Sequence, residues 1–389
     1  MVPRVLHVAQ PVEGGVAVAV EQVAADQRAR GWQVAVACPG TGSLPVALLR
    51  RGVPHLVWPA RRAPGLRTVA EIRSLRRIVD LARPDVLHLH SSKASLAGRL
   101  AVRGAVPTLV SPHGWSWLAG GPVLATAARA WERHGARWTD LCVCVGPGEA
   151  GLAVEAAIPG ALAVVRNGVD LTRYRPAGPA ARRAARAALA LGPDDPVAVC
   201  VGRVCRQKGQ DVAVRAWPAV RAAVPGARLV LVGERHDTVG PAEAGIAAVG
   251  EVGDVRTWLA AADVVVLPSR WEGLSLALLE ALATGRPVVA SRVPGLADAV
   301  GEGTGALVPP EDEAALASAV VARLHDPRRR VAEGAAAAAH ARDFDLRHAL
   351  DHLAAVTAAA ASSGARSTDL RRTTGVDDRG PSAVRAAGW

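Results

Sequence analysis

Two carboxylates eight residues apart, Glu272 and Glu280, stand in the run PSRWEGLSLALLEALATGRPVV (268–289). The run reads as the end of a strand, a turn, and a helix from near Gly273, which spaces the two carboxylates ~12 Å apart along the axis. The free amides of Gly273, Leu274 and Ser275 then form a positive helix end suited to phosphate or to sugar hydroxyls. A carboxylate at that entrance can accept hydrogen bonds from sugar hydroxyls, and a deeper one can hold both hydroxyls of a ribose. A capping Glu and a solvated helical Glu would have the same spacing. Against that, Leu278, Leu279, Ala281 and Leu282 flank Glu280, a setting where an idle carboxylate is costly.

A second run, CVGRVCRQKGQDVAVRAW (200–217), carries Arg203 and Lys208 through the loop between a strand and a helix. Two cations five residues apart can straddle a diphosphate and stabilise the charge that grows as it leaves, or simply make a basic loop. Only two of the 46 basic residues are lysine, Lys93 and Lys208, so a compact ammonium is retained where Arg otherwise prevails. Asn167 is likewise the single Asn of the chain. Three further places combine a strand end with polar or small residues. Gly14 and Gly15 follow the first strand, though any tight βα turn can use such a pair and the full G-x-G-x-x-G is absent. His113 lies between Pro112 and Gly114 in SPHGWSW, unlike His340, His348 and His352, which read as helix-surface residues. Ser91, Ser92 and Lys93 follow DVLHLH and open a helix, a plausible anion site.

The elements that position these residues follow from the pattern of apolar runs. At 389 residues, half of them hydrophobic, the chain suits two domains with cores of Ala, Val and Leu, since it has one Phe and one Tyr. RVLHVA (4–9), QVAVAC (33–38), HLVWP (55–59), DVLHLH (85–90), TLVSPHG (108–114), LCVCV (141–145) and AVVRNGVD (163–170) read as strands separated by amphipathic helices, among them one from about Val16 to Arg30. LTRYRPAGPAARRA then reads as a linker or domain edge. The alternation restarts with PVAVCVGR (196–203), ARLVLVG (227–233), IAAVGEV (246–252), DVVVLPS (263–269) and RPVVAS (286–291), with helices from about Val212 to Val224 and Leu274 to Ala283. Such alternation predicts parallel sheets covered by helices on both faces, an α/β chain of two doubly wound units. Ligands of such sheets sit at the carboxyl ends of the strands, where the motifs fall.

The paired-Glu segment, E followed by seven residues and E, resembles glycosyltransferase family 4, whose members have the GT-B fold. The likeness spans roughly residues 3–355 and is weakest between 40 and 80. It implies two Rossmann-like domains facing across a cleft: an acceptor-binding domain over 1–172 and a nucleotide-sugar-binding domain over 173–345. A final helix over 346–361 would cross back to the first domain, with Phe344 as its anchor, and 362–389 would be a disordered tail. It further implies a retaining transfer from a nucleotide-diphosphate sugar, the leaving diphosphate itself taking the acceptor's proton. Glu272 would contact the transferred sugar, Glu280 the ribose, Arg203 and Lys208 the diphosphate, and His113 the sugar or the reacting centre. Gly14 and Gly15 would pack close to acceptor and donor phosphate, and Ser91, Ser92 and Lys93 resemble a stretch of members that extend cell-surface polysaccharides on lipid carriers. Ser275 stands where many members carry Pro or Gly, and Asn167 matches a turn that shapes the backbone.

No metal or other cofactor is expected, because Arg203, Lys208 and helix amides can neutralise a diphosphate. The Asp-x-Asp at 343–345 follows a helix instead of a nucleotide-binding strand. The five Cys show no CxxC pair and read as buried thiols of a reducing compartment. No signal peptide and no membrane span is read, so the expectation is a cytoplasmic protein, peripheral at most to the inner membrane face. A nucleotide-sugar epimerase of the same fold class is the nearest enzymatic alternative, and it would need other acid/base residues. The net charge of +11 raises nucleic acid as a partner, but no aromatics interleave the Arg residues to stack bases.

Overall fold

The computed structural model describes residues 2–234, 237 and 244–362. The expected tail therefore lies outside the described residues, apart from Ser362. The short β-branched runs form two all-parallel sheets. The first comprises β1 (Arg4–Ala9), β2 (Gln33–Cys38), β3 (His55–Val57), β4 (Val86–His90), β5 (Thr108–Ser111), β6 (Leu141–Cys144) and β7 (Leu162–Val164), in the order β3-β2-β1-β4-β5-β6-β7. The second comprises β8 (Val197–Val201), β9 (Arg228–Val232), β10 (Ile246–Gly250), β11 (Val264–Leu267), β12 (Val288–Ser291) and β13 (Gly305–Val308), in the order β10-β9-β8-β11-β12-β13. Central strands such as VAVCV and VVVL are buried at every residue, as a sheet with helices on both faces requires.

Strand order reverses between β1 and β4 in the first sheet and between β8 and β11 in the second. The loops leaving those paired strands diverge and open a crevice, which is where doubly wound sheets bind ligands. The glycine pair, the Ser-Ser-Lys run, the Arg203–Lys208 run and the paired-Glu segment sit on those four loops, and His113 follows the next strand, β5.

The structure corrects several boundaries. The helix expected from near Gly273 begins at Leu276, and 272–275 is a loop. Its course is set by outside contacts: Asn167 Nδ2 donates to the Leu274 carbonyl at 2.7 Å, and Gly295 lies against the Gly273 carbonyl. Gly305–Val308 is an edge strand absent from the sequence reading, where a single short and half-buried run gives little signal. The second half of the presumed linker is a helix, Pro179–Ala188, started by proline at its first position. That helix is tied to the second domain, because Asp263 accepts from Arg182 at 2.6 Å, Arg186 at 2.8 Å and the Val197 amide at 2.9 Å.

Phe344 sits in the core of the second domain with Leu279 and Leu282. The Val169 amide donates to the Phe344 carbonyl and the Leu346 amide to Val169, which brings the two crossings side by side. From there the helix Leu346–Ser362 packs Leu353, Val356 and Ala360 against Val86, Leu109 and Val143 of the first sheet. All five Cys are free, four of them buried and Cys205 partly so. No helix among the described residues is long and apolar enough to cross a membrane.

Candidate active site

The carboxyl ends of the two sheets face each other, and glycines mark where they meet. Gly14 has φ +71°, open to glycine, and a methyl there would lie 3.4 Å from the Arg203 Nε of the opposite domain. Gly15 faces Leu276, and Gly273 faces the amide of Gly114. Arg203 thus reaches across to the Gly14–Gly15 turn.

Lys208 and Glu272 are 64 residues apart in sequence and 2.5 Å apart in space, Nζ to Oε1, and Ser269 Oγ donates to the same oxygen at 2.9 Å. The sequence reading placed Lys208 beside Arg203 on a diphosphate and Glu272 alone at a helix start; the structure joins Lys208 to Glu272. Their loops are laced together, with the Arg270 amide donating to the Gln207 carbonyl, Gln207 Nε2 to the Trp271 carbonyl, and Arg270 paired with Asp211 at 2.6 Å. Gly209, at φ +65°, has no alternative, since a methyl there would fall 2.0 Å from the Pro268 carbonyl oxygen. The carboxylate thus holds a charge-assisted hydrogen bond through Oε1.

Glu280 lies at the far end of this pocket wall, flanked by buried Leu278 and Leu279. Burial pushes its carboxyl up to about 7, and the nearby hydroxyl of Tyr174 acts on it in the opposite direction. Tyr174 is the only Tyr of the chain and was not singled out from sequence; its uniqueness was the available signal.

His113 follows β5 at φ +52°, a conformation unusual for a non-glycine residue. The turn is held by Glu149, whose carboxylate accepts from the Gly114 amide at 2.5 Å and from the Val145 amide at 2.8 Å. Burial raises Glu149 to about 7 despite those bonds. Behind His113 lie three more imidazoles, His7, His88 and His90, also unnoticed in sequence. Their signal was a His at alternate positions of an apolar strand, VLHLH, beside a His on β1.

Of the remaining candidates, Ser91 opens its helix at φ +67° and its hydroxyl donates to the Gln10 carbonyl on the neighbouring loop. Ser92 follows it, half-buried. Lys93 does not present its ammonium to a ligand: Nζ is buried and paired with Glu71 at 2.5 Å, with Thr68 Oγ1 at 3.1 Å. A compact ammonium suits that closed space, which accounts structurally for a lysine there.

Two facing Rossmann-like sheets, with a cation and a carboxylate at the switch point of one and a histidine at the carboxyl end of β5 in the other, define a GT-B glycosyltransferase architecture. Comparisons with known proteins agree. The model described as Glycosyltransferase Family 4 matches residues 13–173 and that described as Glycosyl transferases group 1 matches 195–326. The chain belongs to glycosyltransferase family 4. It is 39% identical over 230 residues to a D-inositol 3-phosphate glycosyltransferase of Segniliparus rotundus, covering 54% of this chain and 49% of the relative. It is 36% identical over 189 residues to a GDP-mannose-dependent monoacylated alpha-(1-6)-phosphatidylinositol monomannoside mannosyltransferase of Corynebacterium glutamicum, covering 45% and 50%. The chain spans about half the length of these curated relatives. Among solved structures, Anabaena Alr3699/HepE in complex with UDP and glucose superposes with a TM-score of 0.79 at 20% identity, covering 92% of this chain and 99% of that one. WaaG, a glycosyltransferase involved in lipopolysaccharide biosynthesis, gives a TM-score of 0.73 at 17% identity, covering 90% and 99%.

Proposed function

We propose that this chain transfers a sugar from a nucleotide-diphosphate donor to an acceptor hydroxyl with retention of anomeric configuration. The observation that carries the reading is the Lys208–Glu272 pair on the loops of the second domain that also carry Arg203, whose side chain reaches across the crevice to the Gly14–Gly15 turn. Arg203 and Lys208 bind the diphosphate and stabilise the negative charge that develops as it leaves. Glu272 receives hydroxyls of the transferred sugar and Glu280 those of the ribose, with Tyr174 orienting the Glu280 carboxyl. His113 meets the sugar from the opposite wall. The departing diphosphate oxygen takes the acceptor's proton on the face it leaves, so the reaction needs no protein nucleophile. The acceptor is a lipid-linked or cell-surface glycan precursor, a reading supported by the named acceptor of the Corynebacterium relative. The reaction then runs in the cytoplasm, at a membrane surface that the basic chain can approach.

Nucleoside diphosphate release from UDP-glucose and GDP-mannose, the donors in the names of similar proteins, tests this directly. Replacing Arg203 or Lys208 with Ala will cost at least ~2 kcal/mol of transition-state stabilisation, about thirty-fold in kcat/KM. Folded variants with unchanged turnover would remove both residues from the diphosphate site. Activity in excess EDTA will equal that without it, because these cations do the neutralising. Loss in EDTA restored by Mg²⁺ or Mn²⁺ would mean that a metal shares that task.

A further inference from the structure

Four polar side chains form an unbroken file through the buried middle of the first domain to the crevice. Gln27 Oε1 lies 2.9 Å from His7 Nε2, His7 Nδ1 lies 3.0 Å from His90 Nε2, and His90 Nδ1 lies 3.1 Å from His113 Nε2. Gln27, His7 and His90 are 1%, 0% and 2% exposed. The file exists because β1 and β4 are neighbours in register, with His7 opposite His88 and Ala9 opposite His90. Sheet pairing therefore places the rings, and β5 delivers the last of them.

We propose that Gln27, His7 and His90 are positioning residues that fix the tautomer of His113, so that His113 meets its ligand only through Nδ1 and only as a hydrogen-bond acceptor. The proton count gives this result. A neutral imidazole carries one N–H, so three rings bring three protons to three links, and each link needs one. With the Gln27 oxygen facing His7, His7 must donate from Nε2 and accept at Nδ1. His90 must then do the same, and so must His113. The last Nδ1 is left bare, and among the described residues it has no hydrogen-bond partner. The Nε2–H form is also the tautomer that histidine side chains favour in water. An added proton on His7 or His90 would set two N–H groups against each other within one link, so the file holds those two rings neutral, and burial disfavours a second proton on the terminal His113. Burial acts in the same direction on all three rings. His88 is not a member: its Nε2 pairs with Ser111 Oγ at 2.9 Å, and its ring packs on His90 and His7 with centroids 4.1 and 5.3 Å away without entering a link.

On the proposed function, on which this inference rests for its consequence, the bare nitrogen accepts from a hydroxyl of the transferred sugar. It cannot serve as an acid. A sugar lacking that hydroxyl would leave a bare acceptor facing it and lose the contact.

Nitrogen-15 histidine labelling of the full chain, with long-range proton–nitrogen correlation at pH 7.5, reads each tautomer without any turnover. All three rings of the file will show the Nε2–H pattern. In Gln27→Met the anchor is gone, and His113 will become a mixture of tautomers. Turnover of whichever of UDP-glucose or GDP-mannose is used will fall about ten-fold at saturating donor, with donor KM within two-fold. His88→Gln, which disturbs the same core but removes no link of the file, will leave the His113 pattern as in the wild type. Should Gln27→Met fail to fold, the wild-type spectrum alone decides. An Nδ1–H pattern or a doubly protonated ring in the wild type overturns the proposal, as does a Gln27→Met protein with unchanged His113 signals and rate. So does stoichiometric zinc in the purified protein, because the nitrogens of His7, His88 and His90 lie within 4.8 Å of one another and a bound ion would claim the lone pairs that the file uses. Intact tautomers in a protein that transfers no sugar would refute the function and leave the file standing.

Discussion

Glu272→Gln will lower the proposed transfer by about 100- to 1,000-fold at saturating donor, the usual cost of removing one preorganised charged group from a transition state. The substitution keeps the size of the side chain and removes two things at once. The contact to the sugar loses its charge, and Lys208 loses the partner 2.5 Å away that aims its ammonium. Both effects grow as the diphosphate departs, so they appear in kcat. Glu280→Gln will behave differently. The ribose does not change during the reaction, so its contacts stabilise ground and transition states alike, and their loss raises the donor KM with a smaller effect on rate. Burial already pushes the Glu280 carboxyl up to about 7, so near neutral pH the neutral form that Gln imitates is well populated. Steady-state kinetics of both variants with one donor separate the roles. A Glu272 variant with wild-type turnover, or equal rate losses with no change in donor affinity for the Glu280 variant, would be incompatible with them.

Acidification below about pH 6.5 will destabilise the first domain. Burial holds His7 and His113 down to about 4, and His88 and His90 well below the ordinary 6.5. A folded pKa below the unfolded one means that the unfolded chain binds more protons in that window. Stability is then fully present above 6.5 and is lost as pH falls toward 4. His7 alone contributes roughly 3 kcal/mol of such loss by pH 4. Glu149 and Glu280 act in the opposite sense, since their raised carboxyls bind protons in the folded state between about 7 and 4.5 and stabilise it there. Four rings outweigh two carboxylates, and below 4.5 the carboxylates add nothing further. The melting temperature will therefore drop by about 5–10 °C between pH 7 and pH 5 and faster below. A flat profile over that range would show that the rings are not held neutral.

The acid response and the Lys208–Glu272 pair illustrate the division between sequence and fold. The sequence by itself determined the architecture, because backbone period and burial act locally. A short β-branched run such as VVVL favours a strand covered on both faces, and helices alternating with such runs favour parallel pairing. It also determined which loops carry chemistry, because a cation, a carboxylate or a glycine just after a strand lies at the sheet's carboxyl end wherever the strand sits. Helix starts were less legible: Leu276 opens its helix late, after a loop at 272–275 whose Leu274 carbonyl accepts from Asn167 and whose Gly273 carbonyl lies against Gly295, both remote in sequence. The partner of each functional group was decided by tertiary structure alone. Lys93 was marked by rarity, yet its ammonium answers to Glu71 and not to a ligand, whereas the equally rare Lys208 answers to Glu272. Tyr174 meets Glu280 only because the inter-domain segment folds back on the second domain, and His7 meets His90 only because β4 returns beside β1. Such contacts join residues tens of positions apart through strand order and domain docking, and no local period of the chain records that order.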